Sequence, residues 1–122
     1  MKVAVCAVDQ GLEAELASRF GRCKYFVVID TETTNVAAIP NAGGKTGEGA
    51  GVQAAQILIN EDVEAVIGTS FGPNAFMTLK YAGIKVYNGK GTVSEVLEQF
   101  KDEKLEEMEQ SNVPKKAGHF TR

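Results

Sequence analysis

The amino-acid sequence predicts one α/β domain, with a mixed five-stranded sheet and helices on both of its faces. Short apolar runs with the composition of buried strands alternate with segments of helical periodicity. Two of those runs are separated only by the polar segment 31–35, which has the length of a hairpin turn. The chain of 122 residues is long enough for one hydrophobic core and too short for a second domain.

Five runs are predicted as strands. Residues 2–8 form a continuous β-branched and small apolar run, which is typical of a strand covered on both faces and therefore central. Residues 25–30 and 36–39 flank the hairpin turn, so they pair antiparallel. Residues 64–68 and 84–87 each follow a helical segment. Helical crossovers are right-handed and join parallel strands, so these two runs are predicted to be parallel to the first.

Helices are predicted in four places. Leu12 and Leu16 lie four positions apart, which favours a short helix over residues 12–18. Apolar positions at helical spacing predict a second helix from about residue 48 or 49 to residue 60. A third helix spans residues 73–82, with Pro73 in its permissive first turn. Thr92 caps the fourth helix, and Glu95 occupies the reaching-back position of a capping box.

These elements predict the strand order 3-2-1-4-5, with strand 2 antiparallel, because the most apolar strand then lies in the middle. This is a ribonuclease-H-like arrangement, which is a statement about topology and not about function. The domain is predicted to cover residues 1–105. Rising polarity beyond it predicts a flexible C-terminal tail over residues 106–122. The only histidine, His119, lies in this tail, where it is either solvated and idle or folds back as a metal ligand.

Five glycine-containing loops are predicted at one edge of this sheet. If the first strand points up, chain direction places residues 9–11, 20–23, 43–51, 69–75 and 88–92 at the top. The carboxyl ends of parallel strands form the usual ligand crevice of open α/β sheets, and glycine lets the backbone approach a ligand closely. Three helices begin at this edge, near residues 48, 73 and 92, and their N–H groups favour an anion.

Composition and motifs exclude several classes of function. A formal net charge of −3 argues against a nucleic-acid-binding surface. The apolar run 3–8 is too short for a signal-peptide core or a membrane span, so a cytoplasmic protein without a membrane partner is expected. The glycines at 47, 49 and 51 lack the offset of a dinucleotide fingerprint, and the segment 44–46 lacks the first glycine of a P-loop. No catalytic residue is predicted.

The two cysteines differ in their predicted surroundings. Cys23 lies at the predicted edge between Arg22 and Lys24, where neighbouring cations favour the thiolate and a role as a soft-metal ligand. The alternative is that Cys23 is a small packing residue at the start of a strand. Cys6, inside the first strand, is predicted to be part of the core.

Three motifs resemble those of the dinitrogenase iron-molybdenum cofactor biosynthesis family. In chain order they are Phe20-Gly21-Arg22-Cys23, Gly49-Ala50-Gly51 and Gly72-Pro73-Asn74-Ala75-Phe76. The resemblance covers about residues 1–105. It implies a small non-catalytic domain that binds, carries or stores iron–sulfur or molybdenum-containing clusters, with a cofactor-assembly protein as partner. Many family members have histidine where this chain has Arg19 and Glu48, which leaves Cys23 as the best soft ligand.

The predicted site is therefore a crevice for an anionic metal–sulfur cluster, with thiolate from Cys23. Its other members are Arg19, Phe20, Gly21, Arg22, Gly47, Gly49, Gly51, Gly72, Pro73 and Asn74. Two alternatives use the same edge. One is a binding module for a small phosphorylated or nucleotide ligand at the helix N-termini, without metal. The other is thiol redox chemistry at Cys23, although no second cysteine is close in sequence.

Overall fold

Six strands and three helices occur in residues 1–45 and 49–113, the part of the chain that the computed structural model describes. The strands are β1 (Lys2–Ala7), β2 (Tyr25–Asp30), β3 (Val36–Pro40), β4 (Ala65–Gly68), β5 (Lys85–Asn88) and β6 (Glu106–Glu107). The helices are α1 (Ala50–Asn60), α2 (Pro73–Tyr81) and α3 (Val93–Lys101). Two short 3-10 turns cover Phe20–Arg22 and Ala42–Lys45. No helix in the described residues could span a bilayer, since even α1 has only 11 residues.

The strands form one mixed sheet in the order β3-β2-β1-β4-β5-β6. β1 pairs antiparallel with β2 and parallel with β4, and β4 pairs parallel with β5. The predicted count of five strands is wrong by one, because β6 pairs antiparallel with the outer side of β5. Two consecutive glutamates carry no strand pattern, so main-chain pairing alone makes this segment a strand.

β1 is central because both of its faces are covered. Successive side chains of a strand point to opposite faces of the sheet. Val3 and Val5 pack into the cluster that also contains α3 residues, whereas Ala4 and Cys6 pack into the cluster beneath α1 and α2. All four side chains are fully buried. The sequence of β1 is apolar without interruption because each face of the strand packs into one of the two core clusters.

Three phenylalanines anchor the core on the α1 and α2 side of the sheet. The rings of Phe20 and Phe71 stack with their centroids 5.1 Å apart, and Phe20 also meets Phe26 at 5.6 Å. Such pairs contribute about 0.5–1.5 kcal/mol beyond the area they bury. Because Phe20 and Phe71 lie in loops, this stack holds two loops together above β1 and β2.

Residues 12–18 are not helical, so that prediction is wrong. The backbone of this segment bonds to its neighbours instead: Ala17 N donates to Cys6 O at 3.0 Å, and Leu16 N donates to Gly91 O at 2.9 Å. Leu16 packs against the α3-side core, while Leu12 is 42% exposed. The spacing of the two leucines is therefore not the sign of a shared apolar face.

The chain beyond α3 is ordered into the fold as far as Val113. Besides β6, this segment contributes Met108, which is buried against the α1 and α2 side of the sheet and whose N–H donates to Val86 O at 2.7 Å. The domain boundary at residue 105 and the flexibility of the tail stay predictions; residues 106–113 pack against the rest of the domain. His119 lies outside the described residues.

Candidate functional site

A crevice of about 560 Å³ opens at the edge of the sheet where β4 ends and β2 begins. Three of the five predicted loops line it, through residues 19–22, residues 49–52, and Ser70 with residues 72–75. The other two loops leave strands at the same edge but are not among its lining residues. Loop 88–92 instead packs on the end of β4, where Gly89 N donates to Gly68 O at 3.0 Å.

The crevice contains nine of the ten residues predicted to bind a ligand. They are Arg19, Phe20, Gly21, Arg22, Gly49, Gly51, Gly72, Pro73 and Asn74. The tenth, Gly47, lies outside the described residues. The other five lining residues were missed by sequence reasoning: Ala50, Val52, Ser70, Ala75 and Val113. Ser70 belongs to a loop that was placed at this edge, whereas nothing in the sequence indicates Val113. That these residues bind a ligand stays a prediction.

The N-terminus of α1 opens into the crevice without a side-chain cap. Its N-cap residue, Gly49, has a left-handed backbone with φ of 71° and no side chain that could accept a hydrogen bond. The first helical hydrogen bond runs from Gln53 N to Gly49 O at 2.9 Å. The N–H groups of residues 50–52 therefore have no partner within the helix.

The N-terminus of α2 has the same character. Gly72 is its N-cap, in an extended conformation, and no side chain caps the helix. The first helical hydrogen bond joins Phe76 N to Gly72 O at 2.9 Å. Pro73 carries no N–H, so the N–H groups of Asn74 and Ala75 are those left without a helical partner.

The N-terminus of α3 is closed by its own side chains. Thr92 Oγ1 accepts from Glu95 N at 3.2 Å, and Glu95 Oε1 accepts from Thr92 N at 2.8 Å. The predicted capping box is confirmed. Thr92 does not line the crevice, so two of the three helix starts predicted there are part of it.

Glycine allows the three lining segments to approach one another closely. A Cβ atom on Gly21 would lie 2.7 Å from Gly51 N, and one on Gly51 would lie 2.9 Å from Ala75 Cβ. Both distances are far below ordinary contact, so the 3-10 turn packs directly on α1 and α1 on α2. A Cβ on Gly72 would meet no atom within 4 Å. Gly72 therefore faces open space in the crevice.

The electrostatic character of the crevice is cationic. Among its described lining residues are the exposed Arg19 and Arg22 and no acidic residue. Helix N-termini carry partial positive charge, equivalent to roughly half an elementary charge each. The two uncapped helix starts and the exposed Arg19 guanidinium thus add to the same field.

Hydrogen bonds between two loops make the crevice floor rigid. Phe20 N donates to Ser70 O at 2.9 Å, and the Ser70 hydroxyl donates to Ser18 O at 2.7 Å. These bonds act across the same gap as the Phe20–Phe71 stack. The crevice wall at Ser70 is consequently held by polar and aromatic contacts together.

Residues 111–113 form a strap that is hydrogen-bonded to the loop after β4. Asn112 Oδ1 accepts from Phe71 N at 2.9 Å, and the Ser111 hydroxyl donates to Phe71 O at 2.7 Å. Asn112 Nδ2 donates to Thr69 O at 3.0 Å. This strap brings Val113 to the crevice, which explains a lining residue from a segment that the sequence predicts as tail.

Cys23 does not line the crevice, and its burial agrees with the alternative in which it is a small packing residue at the start of a strand. The residue is 2% exposed and packs in the core with Cys6. Asn41 turns it inward, because Asn41 Nδ2 donates to Cys23 O at 2.9 Å and lies 3.6 Å from Cys23 Sγ. The role of Cys23 as a metal ligand stays a prediction, and its burial does not favour it.

The two cysteines are neighbours despite their separation in sequence. Burial raises the pKa of the Cys6 thiol well above its usual range, and a hydrogen bond with Cys23 raises it further. In residues 1–45 and 49–113 no three or more His, Cys, Asp and Glu side chains come together as a metal-binding group. The described crevice offers N–H and guanidinium donors to a ligand rather than side-chain metal ligands.

The fold and this crevice define a small α/β domain with a cationic crevice at one sheet edge, between two helix starts. The chain belongs to the dinitrogenase iron-molybdenum cofactor family, whose sequence model matches residues 1–103. An uncharacterized protein of Methanocaldococcus jannaschii is 33% identical over 113 residues, which are 89% of this chain and 92% of that protein.

Solved structures agree with this assignment. The apo form of the orange protein from Desulfovibrio gigas has a TM-score of 0.89 and 33% identity, covering 92% of this chain and 96% of that one. A NifB-like protein from Thermotoga has a TM-score of 0.80 and 36% identity, covering 94% and 97% of the two chains. Sequence and structure thus agree that the chain is a small member of the dinitrogenase iron-molybdenum cofactor family.

Proposed function

We propose that the crevice binds an anionic iron–sulfur or molybdenum-containing cluster, or its precursor, and that the protein is a non-catalytic carrier in cofactor assembly or storage. One observation carries the proposal. Two helix N-termini without side-chain caps, those of α1 and α2, open into a single crevice that also holds Arg19 and Arg22. Family membership supplies the chemical class of the anion.

The proposed mode of binding uses main-chain donors. The N–H groups of residues 50–52, Asn74 and Ala75 have no partner in their helices, so they can donate to the sulfur or oxygen atoms of a cluster. Arg19 and Arg22 offset the remaining negative charge at the crevice mouth. Gly72 leaves room for the ligand next to the α2 start.

The proposed mode does not require a thiolate ligand. Cys23 and Cys6 lie in the core, and both thiols are buried. Binding through backbone donors leaves the cluster exchangeable, because no metal–sulfur bond to the protein has to break on release. Exchangeable binding is the property that a carrier in an assembly pathway needs.

Anaerobic titration with tetrathiomolybdate tests the proposal. We expect saturable binding with one anion per chain, seen as a change in the visible absorption of the bound thiomolybdate, and a rise in melting temperature. Cys23→Ala should bind as the unmodified chain does, after its folding has been checked by circular dichroism. Absence of saturable binding of tetrathiomolybdate and of a synthetic iron–sulfur cluster would remove the proposed function.

A second candidate is binding of a small phosphorylated or nucleotide ligand. The observation that favours it is the donor set itself, since N–H and guanidinium groups at helix N-termini also suit phosphate. Inorganic phosphate and nucleotides should then raise the melting temperature more than tetrathiomolybdate does, with no effect of a chelator. The reverse order of the shifts supports the cluster.

A further inference from the structure

The two edges of the sheet are protected to very different degrees. β6 is only two residues long, and both are glutamates. β3, at the other edge, has five residues, Val36–Pro40, and none of them is charged. Natural proteins usually shorten an edge strand or place charges on it, because its unpaired N–H and carbonyl groups are a template for another strand. In β3 only Pro40, at the end of the strand, gives such protection against pairing.

Hydrogen bonds at both ends of β3 show which of its residues face β2. Asp30 N donates to Asn35 O at 3.0 Å, and Asn41 N donates to Lys24 O at 3.0 Å. Both are opposed pairs in the register of β2 with β3. In an antiparallel ladder, hydrogen-bonded and non-hydrogen-bonded pairs alternate, so every second residue of β3 bonds to β2.

Alternate residues of β3 point their main-chain groups toward β2 and away from it. Ala37 and Ile39 fall on hydrogen-bonded positions, so their N–H and carbonyl groups face β2. Val36 and Ala38 fall on the alternate positions, and their N–H and carbonyl groups point away from the sheet. The Val36 side chain is 46% exposed. Among residues 1–45 and 49–113, no strand pairs with the outer side of β3, which has an apolar surface.

Two chain segments near this edge also lack charge, and they touch: a Cβ on Gly43, shortly after β3, would lie 2.9 Å from Gln53 Cβ of α1. Residues 33–44 and 49–60 contain no Asp, Glu, Lys, Arg or His, although 24% of the chain is charged. The second stretch covers the whole of α1, and even its solvent-exposed side chains are uncharged: Val52, Gln53, Gln56 and Asn60. Depletion of charge is typical of the core of protein interfaces.

We propose that β3 pairs antiparallel with β3 of a second copy of this chain, which joins the two sheets edge to edge. In the register that we propose, Val36 of each copy faces Ala38 of the other, and the two Ala37 residues meet at the two-fold axis. Every outward N–H and carbonyl group of Val36 and Ala38 is then bonded. Pro40, which has no N–H, is not required as a donor.

A second copy accounts for more of the surface than a bound peptide does. A two-fold axis perpendicular to the joined sheet keeps α1 of both copies on the same side, so the two uncharged helices approach each other across the axis. An extended peptide added to β3 would satisfy the edge alone. One dimer interface would therefore explain why both β3 and α1 lack charged residues.

Hydrogen exchange of the full chain tests the pairing at the residues that carry it. In a monomer the amides of Val36 and Ala38 exchange fast, while those of Ala37 and Ile39 are protected by β2. In the proposed dimer all four amides are protected, and the protection of Val36 and Ala38 rises with protein concentration. Fast exchange of Val36 and Ala38 at every concentration would overturn the proposal.

Sedimentation velocity on edge variants gives a second test. Ala38→Pro removes one outward N–H, Val36→Lys adds a charge at the edge, and both should weaken dimerisation at least tenfold. The matched control is Tyr81→Lys, since Tyr81 is 84% exposed on α2, away from β3. This control should leave the dimer unchanged. A monomeric wild-type chain, or equal effects of the edge and control variants, would contradict the proposed interface.

Discussion

The N-termini of α1 and α2 differ from that of α3 in one chemical respect. The α3 start is closed by Thr92 and Glu95, which satisfy two backbone N–H groups within the chain. The α1 and α2 starts have glycine as N-cap, leave their N–H groups without a helical partner and share one crevice. Helix caps in this small domain thus distinguish an end that is closed by its own side chains from ends at which we propose that a ligand binds.

The largest effect on stability and binding is expected for a substitution that moves the 3-10 turn Phe20–Arg22 away from the open helix starts. Gly21→Ala places a methyl group 2.7 Å from Gly51 N, so the turn must move away from α1. Overpacking of this kind costs about 1–3 kcal/mol in the free energy of unfolding. Urea denaturation should show this loss, and titration should show weaker tetrathiomolybdate binding. Unchanged stability would mean that the turn and α1 are not in rigid contact.

The next largest effect should come from giving α2 a cap like that of α3. Gly72 has the extended backbone of an ordinary N-cap, and a Cβ there meets nothing within 4 Å, so Gly72→Asp can be built without strain. Its carboxylate accepts from the α2 start and repels an anion, which should weaken tetrathiomolybdate binding about tenfold or more. Gly72→Asn is the neutral control of equal shape.

The Gly72 pair of variants separates charge from space. If the carboxylate acts by its charge, Gly72→Asn should weaken binding much less than Gly72→Asp, and the melting temperature of both should equal or exceed that of the unmodified chain. Equal binding losses in the two variants would indicate that the added side chain simply fills the crevice.

Removal of the α3 cap should lower stability and leave tetrathiomolybdate binding unchanged. Thr92→Ala removes the hydroxyl that accepts from Glu95 N, with an expected loss of about 1 kcal/mol in the free energy of unfolding. Because Thr92 does not line the crevice, tetrathiomolybdate affinity should not change. A substantial loss of affinity in the folded variant would show that the capped and open helix starts are not functionally distinct.

The smallest effect is expected for a single exposed cation. Arg19→Gln keeps hydrogen-bonding capacity and removes one charge from the crevice mouth. Exposed charge interactions are worth about 1 kcal/mol or less, so affinity should fall about fivefold at most. The loss should shrink as salt is added. A loss that does not depend on salt would mean that Arg19 acts through packing.

Much of the fold could be predicted because local patterns agree with the tertiary structure. The apolar run of β1 is buried on both faces, and Thr92 with Glu95 forms the capping box. The helix expected over residues 12–18 was wrong because Ala14, Leu16 and Ala17 find hydrogen-bond partners in distant segments. β6 escaped prediction because two glutamates pair through the backbone alone.

The crevice was predictable from chain direction and glycine placement, but its depth was not. Topology placed the loops of Gly21, Gly49 and Gly72 at one edge, and these residues line the same crevice. Cys23 contacts Asn41 and Cys6, which are distant in sequence, so its burial could not be read from its charged sequence neighbours. Val113 reaches the crevice only through the strap on Phe71.

The most direct test of the central claim is an anaerobic NMR titration of the isotope-labelled chain with tetrathiomolybdate. The amide resonances of residues 50–52, Asn74 and Ala75 should shift together and saturate at one anion per chain. The amides of Thr92 and Glu95 should stay in place. Shifts at the α3 start, or saturable binding that leaves the first turns of α1 and α2 unperturbed, would contradict the central claim.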